Sequence, residues 1–106
     1  MDISELKNFA DSAFDHVQYR KSLRERMQAR LILTHNGGMF NIKPELIAFV
    51  KTWPVDELYL EDMHGNPCQL DRQTFLIQAQ QLYQEVMNEW HLEFTKSKKI
   101  RKGKDV

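Results

Sequence analysis

The chain has 106 residues, of which 42% are hydrophobic and 28% charged, values typical of one soluble globular domain. Lys and Arg together number 15, as do Asp and Glu, so the formal net charge of zero argues against a general nucleic-acid coat protein. No apolar run reaches the length of a transmembrane helix, and the first residues carry charges unlike those of a signal peptide. The single cysteine, Cys68, has no partner for an internal disulfide. We therefore expect a protein of a reducing compartment.

An amphipathic helix is predicted at the start of the chain. Asp2 is a suitable N-cap, and Glu5 follows it at the spacing of a capping box. Apolar residues then recur at helical spacing, and the stripe extends toward Leu23 and Met27. The members of the stripe are Ile3, Leu6, Phe9, Ala10, Ala13, Val17, Leu23 and Met27.

Two β-hairpins are predicted in the middle of the chain. Apolar residues alternate on either side of Asn36-Gly37, a pair that favours a type I′ turn because both central positions of that turn need positive φ. Alternation in Glu57–Glu61, a turn at His64–Pro67 and a return through Cys68–Leu70 indicate the second hairpin. The side chains expected to face the helices are Leu31, Leu33, Phe40, Ile42, Leu58, Leu60, Cys68 and Leu70.

A helix is predicted after each hairpin. The first begins at Pro44 and ends at Trp53-Pro54, and its expected buried side consists of Leu46, Ile47, Phe49 and Val50. The second runs from Leu70 to Arg101 with Asp71 as its N-cap. Its apolar face consists of Phe75, Leu76, Ala79, Leu82, Tyr83, Val86, Met87, Trp90 and Phe94. Because this helix is longer than a small domain is wide, we expect its distal end to leave the body of the protein.

These elements predict an α+β fold with the order α-β-β-α-β-β-α. Two β-hairpins are expected to form one small antiparallel sheet packed against three helices, of which the C-terminal helix is the longest. We expect a single domain over residues 1–95 and a basic C-terminal tail over residues 96–106. The hairpin–helix unit occurs twice, which fits either an internal duplication or independent use of the same short structural devices.

Three groups of residues carry a family resemblance. They are His35-Asn36-Gly37-Gly38-Met39-Phe40 with Pro44-Glu45-Leu46-Ile47, Leu58-Tyr59-Leu60-Glu61-Asp62 with Gly65-Asn66-Pro67, and Met87-Asn88-Glu89-Trp90 with Lys98-Lys99-Ile100-Arg101. In these groups the chain resembles a family of small proteins from T-even-type contractile-tailed bacteriophages, chiefly those that infect cyanobacteria. The resemblance covers residues 3–101. It implies a phage product that acts in a bacterial cytoplasm or is carried in a virion, and it carries over no activity and no catalytic residue.

His35, His64 and Cys68 are the strongest candidates for a metal site, with Asp62 as a fourth ligand if the hairpin tips are adjacent. Structural zinc sites usually show closely paired cysteines or histidines, so polar turn histidines and a half-buried cysteine are the preferred interpretation. Glu61 and Asp62 project to opposite faces of a strand, and Cys68 fits a small core position. We therefore predict no catalytic, cofactor-binding or metal-binding residue, and we expect the protein not to be an enzyme.

The C-terminal end of the long helix carries two candidate binding surfaces. Met87, Trp90 and Phe94 extend the apolar stripe beyond what a small core buries, which indicates either a partner-binding face or packing against the first helix. A basic run then offers contacts for phosphates, or serves as a solubilising tail that complements the negative end of the helix dipole. Its residues are Lys96, Lys98, Lys99, Arg101, Lys102 and Lys104. No aromatic residue interleaves with them, so base recognition is not expected.

The preferred hypothesis is a non-enzymatic phage accessory protein that binds protein in virion assembly or structure. It would act in the bacterial host cytoplasm or the virion, through a protein partner or a second copy bound at the C-terminal helix, without membrane contact or a cofactor. The alternative is a nucleic-acid-associated regulatory protein that uses the basic tail. A host-directed inhibitor fits the same sequence features as the preferred hypothesis.

Overall fold

The structure is a computed structural model that describes the backbone of residues 3–104 and the side chains of residues 15–98. Over this range the elements are α1 (Ile3–Ala29), β1 (Ile32–His35), β2 (Gly38–Asn41), α2 (Pro44–Thr52), β3 (Glu57–Glu61), β4 (Pro67–Asp71) and α3 (Arg72–Lys104). The predicted α+β class, the order α-β-β-α-β-β-α and the long C-terminal helix are confirmed. The predicted cap at Asp2 and the apolar side chains of residues 3–13 lie outside the described residues and side chains.

The described strands form two antiparallel sheets of two strands each, whereas the sequence suggested a single sheet. β1 pairs with β2, and β3 pairs with β4. The outer edge of β2 is occupied by turn residues of the second hairpin. The amide of Met63 donates to the carbonyl of Met39 (2.8 Å), and the amide of Met39 donates to Oδ2 of Asp62 (3.3 Å). Because these contacts use both backbone groups of Met39, no strand ladder joins the two hairpins there.

The first hairpin turns at the predicted pair of residues. Asn36 and Gly37 have φ angles of 48° and 81°, the positive values that a type I′ turn requires, so this prediction is confirmed. Gly38 has a different role, because a Cβ atom there would lie 2.6 Å from Sγ of Cys68. The two hairpins therefore pack at a distance that only glycine allows at this position.

Two apolar clusters hold the fold together. The hairpin core lies between the two sheets, α2 and the first half of α3, and consists of Phe40, Ile42, Val50, Leu58, Leu70, Phe75 and Ala79. The helical core lies between α1 and the second half of α3, and consists of Leu23, Met27, Leu31 and Val86. Leu82 and Tyr83 pack against both clusters and connect them. Of the strand side chains expected to face inward, Leu33, Leu60 and Cys68 are only partly buried.

The helix boundaries follow local chemistry, but two side chains are not where the periodicity placed them. α2 starts at Pro44 and ends at Thr52, since Trp53 before Pro54 is extended at φ −66° and ψ 131°. Phe49 was expected on the buried side of α2 and is 45% exposed, and Val17 was expected in the α1 stripe and is 61% exposed. On α2, Phe49 lies about 100° around the helix from the buried Val50. On α1, Val17 lies about 100° from the line of the buried Leu23 and Met27. Both side chains therefore flank the buried face of their helix instead of belonging to it.

α1 packs side by side with the second half of α3. Arg30 reaches Glu89, and Tyr19 reaches Glu93, so the two helices run antiparallel. The molecule measures 65 × 25 × 19 Å with a radius of gyration of 19.9 Å. A compact domain of this length would have a radius of gyration of about 13 Å. The expectation that α3 leaves the body is therefore met, and α1 accompanies it.

Candidate protein-binding surface

A shallow depression lies on one flank of the distal half of α3. It has a volume of about 260 Å³ and is lined by Met87, Trp90, His91 and Phe94, which we call the Met87–Phe94 patch. Trp90 and His91 each lie three or four residues from both Met87 and Phe94, so the four residues line one side of the helix over about two turns. All three apolar residues predicted to bind a partner line this depression, and each of them is partly exposed.

Trp90 has two environments. It packs against the helical core, beside Leu23, Met27 and Val86, and it also lines the depression. The sequence left open whether this residue packs on the first helix or faces a partner, and the geometry includes both contacts. Removing Trp90 would therefore disturb the fold, so Met87 and Phe94 are the better probes of binding.

Phe94 contacts cations from both helices. The guanidinium carbon of Arg20 on α1 lies 5.5 Å from the ring centroid, and Nζ of Lys98 lies 4.7 Å from it. Contacts of this kind attract the cation to the electron-rich face of the ring. The ring thus has positive charge beside it from both helices.

The two acidic residues of α3 nearest the patch, Glu89 and Glu93, contact other side chains. Glu89 pairs with Arg30, and Glu93 accepts from Nζ of Lys96 (3.4 Å) and lies 3.5 Å from the hydroxyl of Tyr19. Around α3, Glu89 lies about 160° from Met87 and Glu93 about 100° from Phe94. The patch is consequently an apolar surface bordered by cations, while the acidic side chains of the same turns of α3 contact Arg30, Lys96 and Tyr19.

The candidate metal ligands occupy separate environments. Nδ1 of the buried His35 lies 3.1 Å from Oε1 of Gln78, Sγ of Cys68 lies 3.6 Å from the carbonyl of Asn66, and His64 is exposed. Among the described residues, no three His, Cys, Asp or Glu side chains are close enough together to hold a metal ion. The hairpin tips meet through other groups.

Asp62 is one of the groups that join the two hairpins, together with the amide of Met63 and the side-chain amide of Asn36, which donates to the carbonyl of Gln69 (3.0 Å). Its Oδ1 accepts the amides of Asn66 (2.9 Å) and His64 (3.0 Å), and its Oδ2 accepts the amide of Met39. The hydrogen bond from Asn66 is the largest cause that lowers the pKa of Asp62 below 3.8; burial acts in the opposite direction, and the other two amides and the nearby His64 ring add to the lowering. This carboxylate explains the turn and its contact with the first hairpin.

The predicted basic tail starts inside a helix. α3 continues without interruption from Arg72 to Lys104, so residues 96–104 are helical. Lys96 and Lys98 project about 200° apart around this helix, and they contact Glu93 and Phe94 respectively. The side chains of Lys99, Arg101, Lys102 and Lys104 lie outside the described side chains.

Two features of the surface were missed in the sequence. The first is the position of Arg20 beside Phe94, which depends on the contact between α1 and α3 and has no local signal. The second is a further exposed apolar group around the end of α2, where the rings of Phe49 and Trp53 are 5.6 Å apart. Phe49 lies in the last turn of α2 and Trp53 directly follows the helix, and the presence of two aromatic residues four positions apart at a helix end could have indicated this group.

Comparison of the chain with protein-family models, curated proteins and solved structures found no match. Within the part of the chain that the structure describes, no helix has the length and apolarity needed to cross a membrane.

Proposed function

We propose that this chain is a non-enzymatic phage accessory protein that binds another protein through the Met87–Phe94 patch, in virion assembly or structure. The observation that supports protein binding is the apolar depression of about 260 Å³, which α1 leaves open although it packs along the adjacent face of α3. Concave apolar surfaces with Trp, Phe and Met side chains are characteristic of protein interfaces. The phage context is supported by the family resemblance of the hairpin and helix segments.

The test compares two double variants of α3 in the full-length chain. Met87→Gln with Phe94→Gln makes the patch polar, and Ile77→Gln with Leu92→Gln is the matched control, because Ile77 and Leu92 are 64% and 60% exposed on other faces of the same helix. Each tagged protein is purified from phage-infected bacteria, and the bound proteins are identified by mass spectrometry.

The patch variant should lose a partner that the wild type and the control retain, while its melting temperature stays close to theirs. Light scattering on the purified proteins shows whether the bound species is a second copy. A set of bound proteins that is identical for all three forms contradicts the proposal.

A nucleic-acid-associated regulatory role is the competing proposal. It is supported by the exposed cations Arg20 and Lys98 and by the helical position of the basic run. It is opposed by the different directions of Lys96 and Lys98, which do not form one phosphate-tracking stripe. A gel shift at low and moderate salt separates the two roles, since phosphate-driven binding weakens steeply with salt.

A further inference from the structure

The border of the Met87–Phe94 patch has one sign of charge. Arg20 and Lys98 lie against Phe94, and Arg24 stands one helical turn from Arg20 on the same face of α1. Glu89 and Glu93, the acidic residues of α3 between Met87 and Lys98, contact Arg30, Tyr19 and Lys96 and not the border cations. Among the described side chains, the patch is therefore bordered by cations, and the carboxylates of the same turns of α3 are paired with other cations.

These border cations are available to a partner. The ion pairs among the described side chains join Arg30 to Glu89, Arg72 to Asp56 and Lys96 to Glu93, so Arg20, Arg24 and Lys98 have no carboxylate partner there. All three are exposed. Electrostatic complementarity across an interface sets partner choice and association rate, so a partner with acidic groups at matching positions is favoured.

The shape of the patch favours a helical partner. The depression follows α3 from Met87 to Phe94, a length of about 10 Å at 1.5 Å per residue. Helices that pack along each other place side chains of one into grooves of the other at the same spacing of three and four residues. A bound helix would thus lie beside α3 and α1 and fill the depression with its apolar side chains.

The same features disfavour two other classes of ligand. A membrane surface is contacted by apolar side chains that protrude, whereas Trp90 is partly inserted in the helical core and the patch is concave. Stacking of nucleic-acid bases needs open aromatic faces, whereas two cations already lie against the ring of Phe94.

We infer that the partner bound at the Met87–Phe94 patch presents an acidic amphipathic helix, with apolar residues toward Met87, Trp90 and Phe94 and carboxylates toward Arg20, Arg24 and Lys98. This inference rests on the proposed function and specifies its partner. The apolar contacts give the partner its orientation along α3, and the carboxylates distinguish it from neutral or basic amphipathic helices.

The probe is a library of random peptides selected on the immobilised full-length chain. The recovered peptides should be acidic, with apolar residues spaced three and four apart, and their binding should weaken as salt is raised. Arg24→Glu with Lys98→Glu should lower their affinity by about tenfold or more. The matched control is Arg26→Glu with Lys51→Glu, which changes the net charge equally at exposed sites away from the patch and should leave affinity unchanged.

Each alternative outcome has a distinct meaning. Peptides that are apolar but not acidic, or that bind the Arg24→Glu, Lys98→Glu variant equally well, overturn the acidic partner and leave the proposed protein-binding function intact. Peptides that bind equally to the Met87→Gln, Phe94→Gln variant, or a selection that recovers none, overturn both. If no acidic peptide binds at the patch but a thymidine oligonucleotide or phosphatidylglycerol vesicles do, another class of ligand replaces the acidic helix of the inference.

Discussion

At the scale of single residues, Gly38 and Asp62 fix how the two hairpins meet. Gly38 allows Cys68 to approach, and Asp62 accepts amides from both hairpins. Neither role depends on a regular strand ladder. The joint between the sheets therefore depends on a few specific groups, and single substitutions there should have measurable effects.

Replacing Gly38 with alanine should destabilise the fold. The added Cβ would lie 2.6 Å from Sγ of Cys68 and 2.9 Å from the ring of Phe40, and overpacking of this kind costs about 1–3 kcal/mol. Chemical denaturation measures the loss. Combining Gly38→Ala with Cys68→Ala should recover part of it, since the second change removes the sulfur. A double variant whose loss equals the sum of the two single losses would show that the contact is not the cause.

The stability conferred by Asp62 should depend on pH. Folding lowers the pKa of Asp62. Its contribution to stability is therefore fully present above the pKa that Asp62 has in the unfolded chain, near 3.8, and is lost as the pH falls through the lower pKa of the folded state. The wild type should melt at a higher temperature than Asp62→Asn at neutral pH, and this difference in melting temperature should narrow below about pH 4. Thermal melts from pH 7 to pH 2 measure this difference. Parallel curves for the two proteins over that range would contradict the prediction.

At the scale of elements, the sequence predicted what local chemistry determines. Asn36-Gly37 specified the hairpin turn, and Pro44 and Trp53-Pro54 specified the ends of α2. Contacts between residues far apart in the sequence could not be predicted from local chemistry. The split into two sheets follows from the contacts of Met39 with residues 62 and 63, which belong to a different hairpin.

The candidate surface shows the same division. Helical spacing alone placed Met87, Trp90 and Phe94 on one face, and the depression confirms that they share it. The pairing of α1 with the distal half of α3 then decides which part of that face is covered. Arg20 is far from Phe94 in sequence and joins the surface only through this pairing.

Trp90 should contribute more to stability than its exposed neighbours. Trp90→Ala removes a side chain that packs on Leu23, Met27 and Val86. Because the ring is only partly buried, we expect a loss of about 2 kcal/mol, less than the roughly 3–5 kcal/mol of buried aromatic truncations. Leu92→Ala, at a position 60% exposed, is the control and should change stability by less than about 0.5 kcal/mol. Equal losses for the two variants would mean that α1 does not cover Trp90 in solution.

At the scale of the whole molecule, the two cores have different shapes and different connections along the chain. The hairpin core is compact and is built from residues 40–79, whereas the helical core joins α1 to the far half of α3. Arg30 and Glu89 are 59 residues apart, and Tyr19 and Glu93 are 74 apart. The elongated shape results from this second, longer-range pairing.

The distance along the chain between α1 and its partner surface sets an order of assembly. Each strand pairs with the strand next to it in sequence, so both hairpins close short loops, while docking of α1 closes the longest one and incurs the largest loss of chain entropy. The transition state for folding should hence contain the hairpin core before α1 docks. Stopped-flow measurements should show that Leu58→Ala slows refolding, whereas Leu23→Ala mainly speeds unfolding.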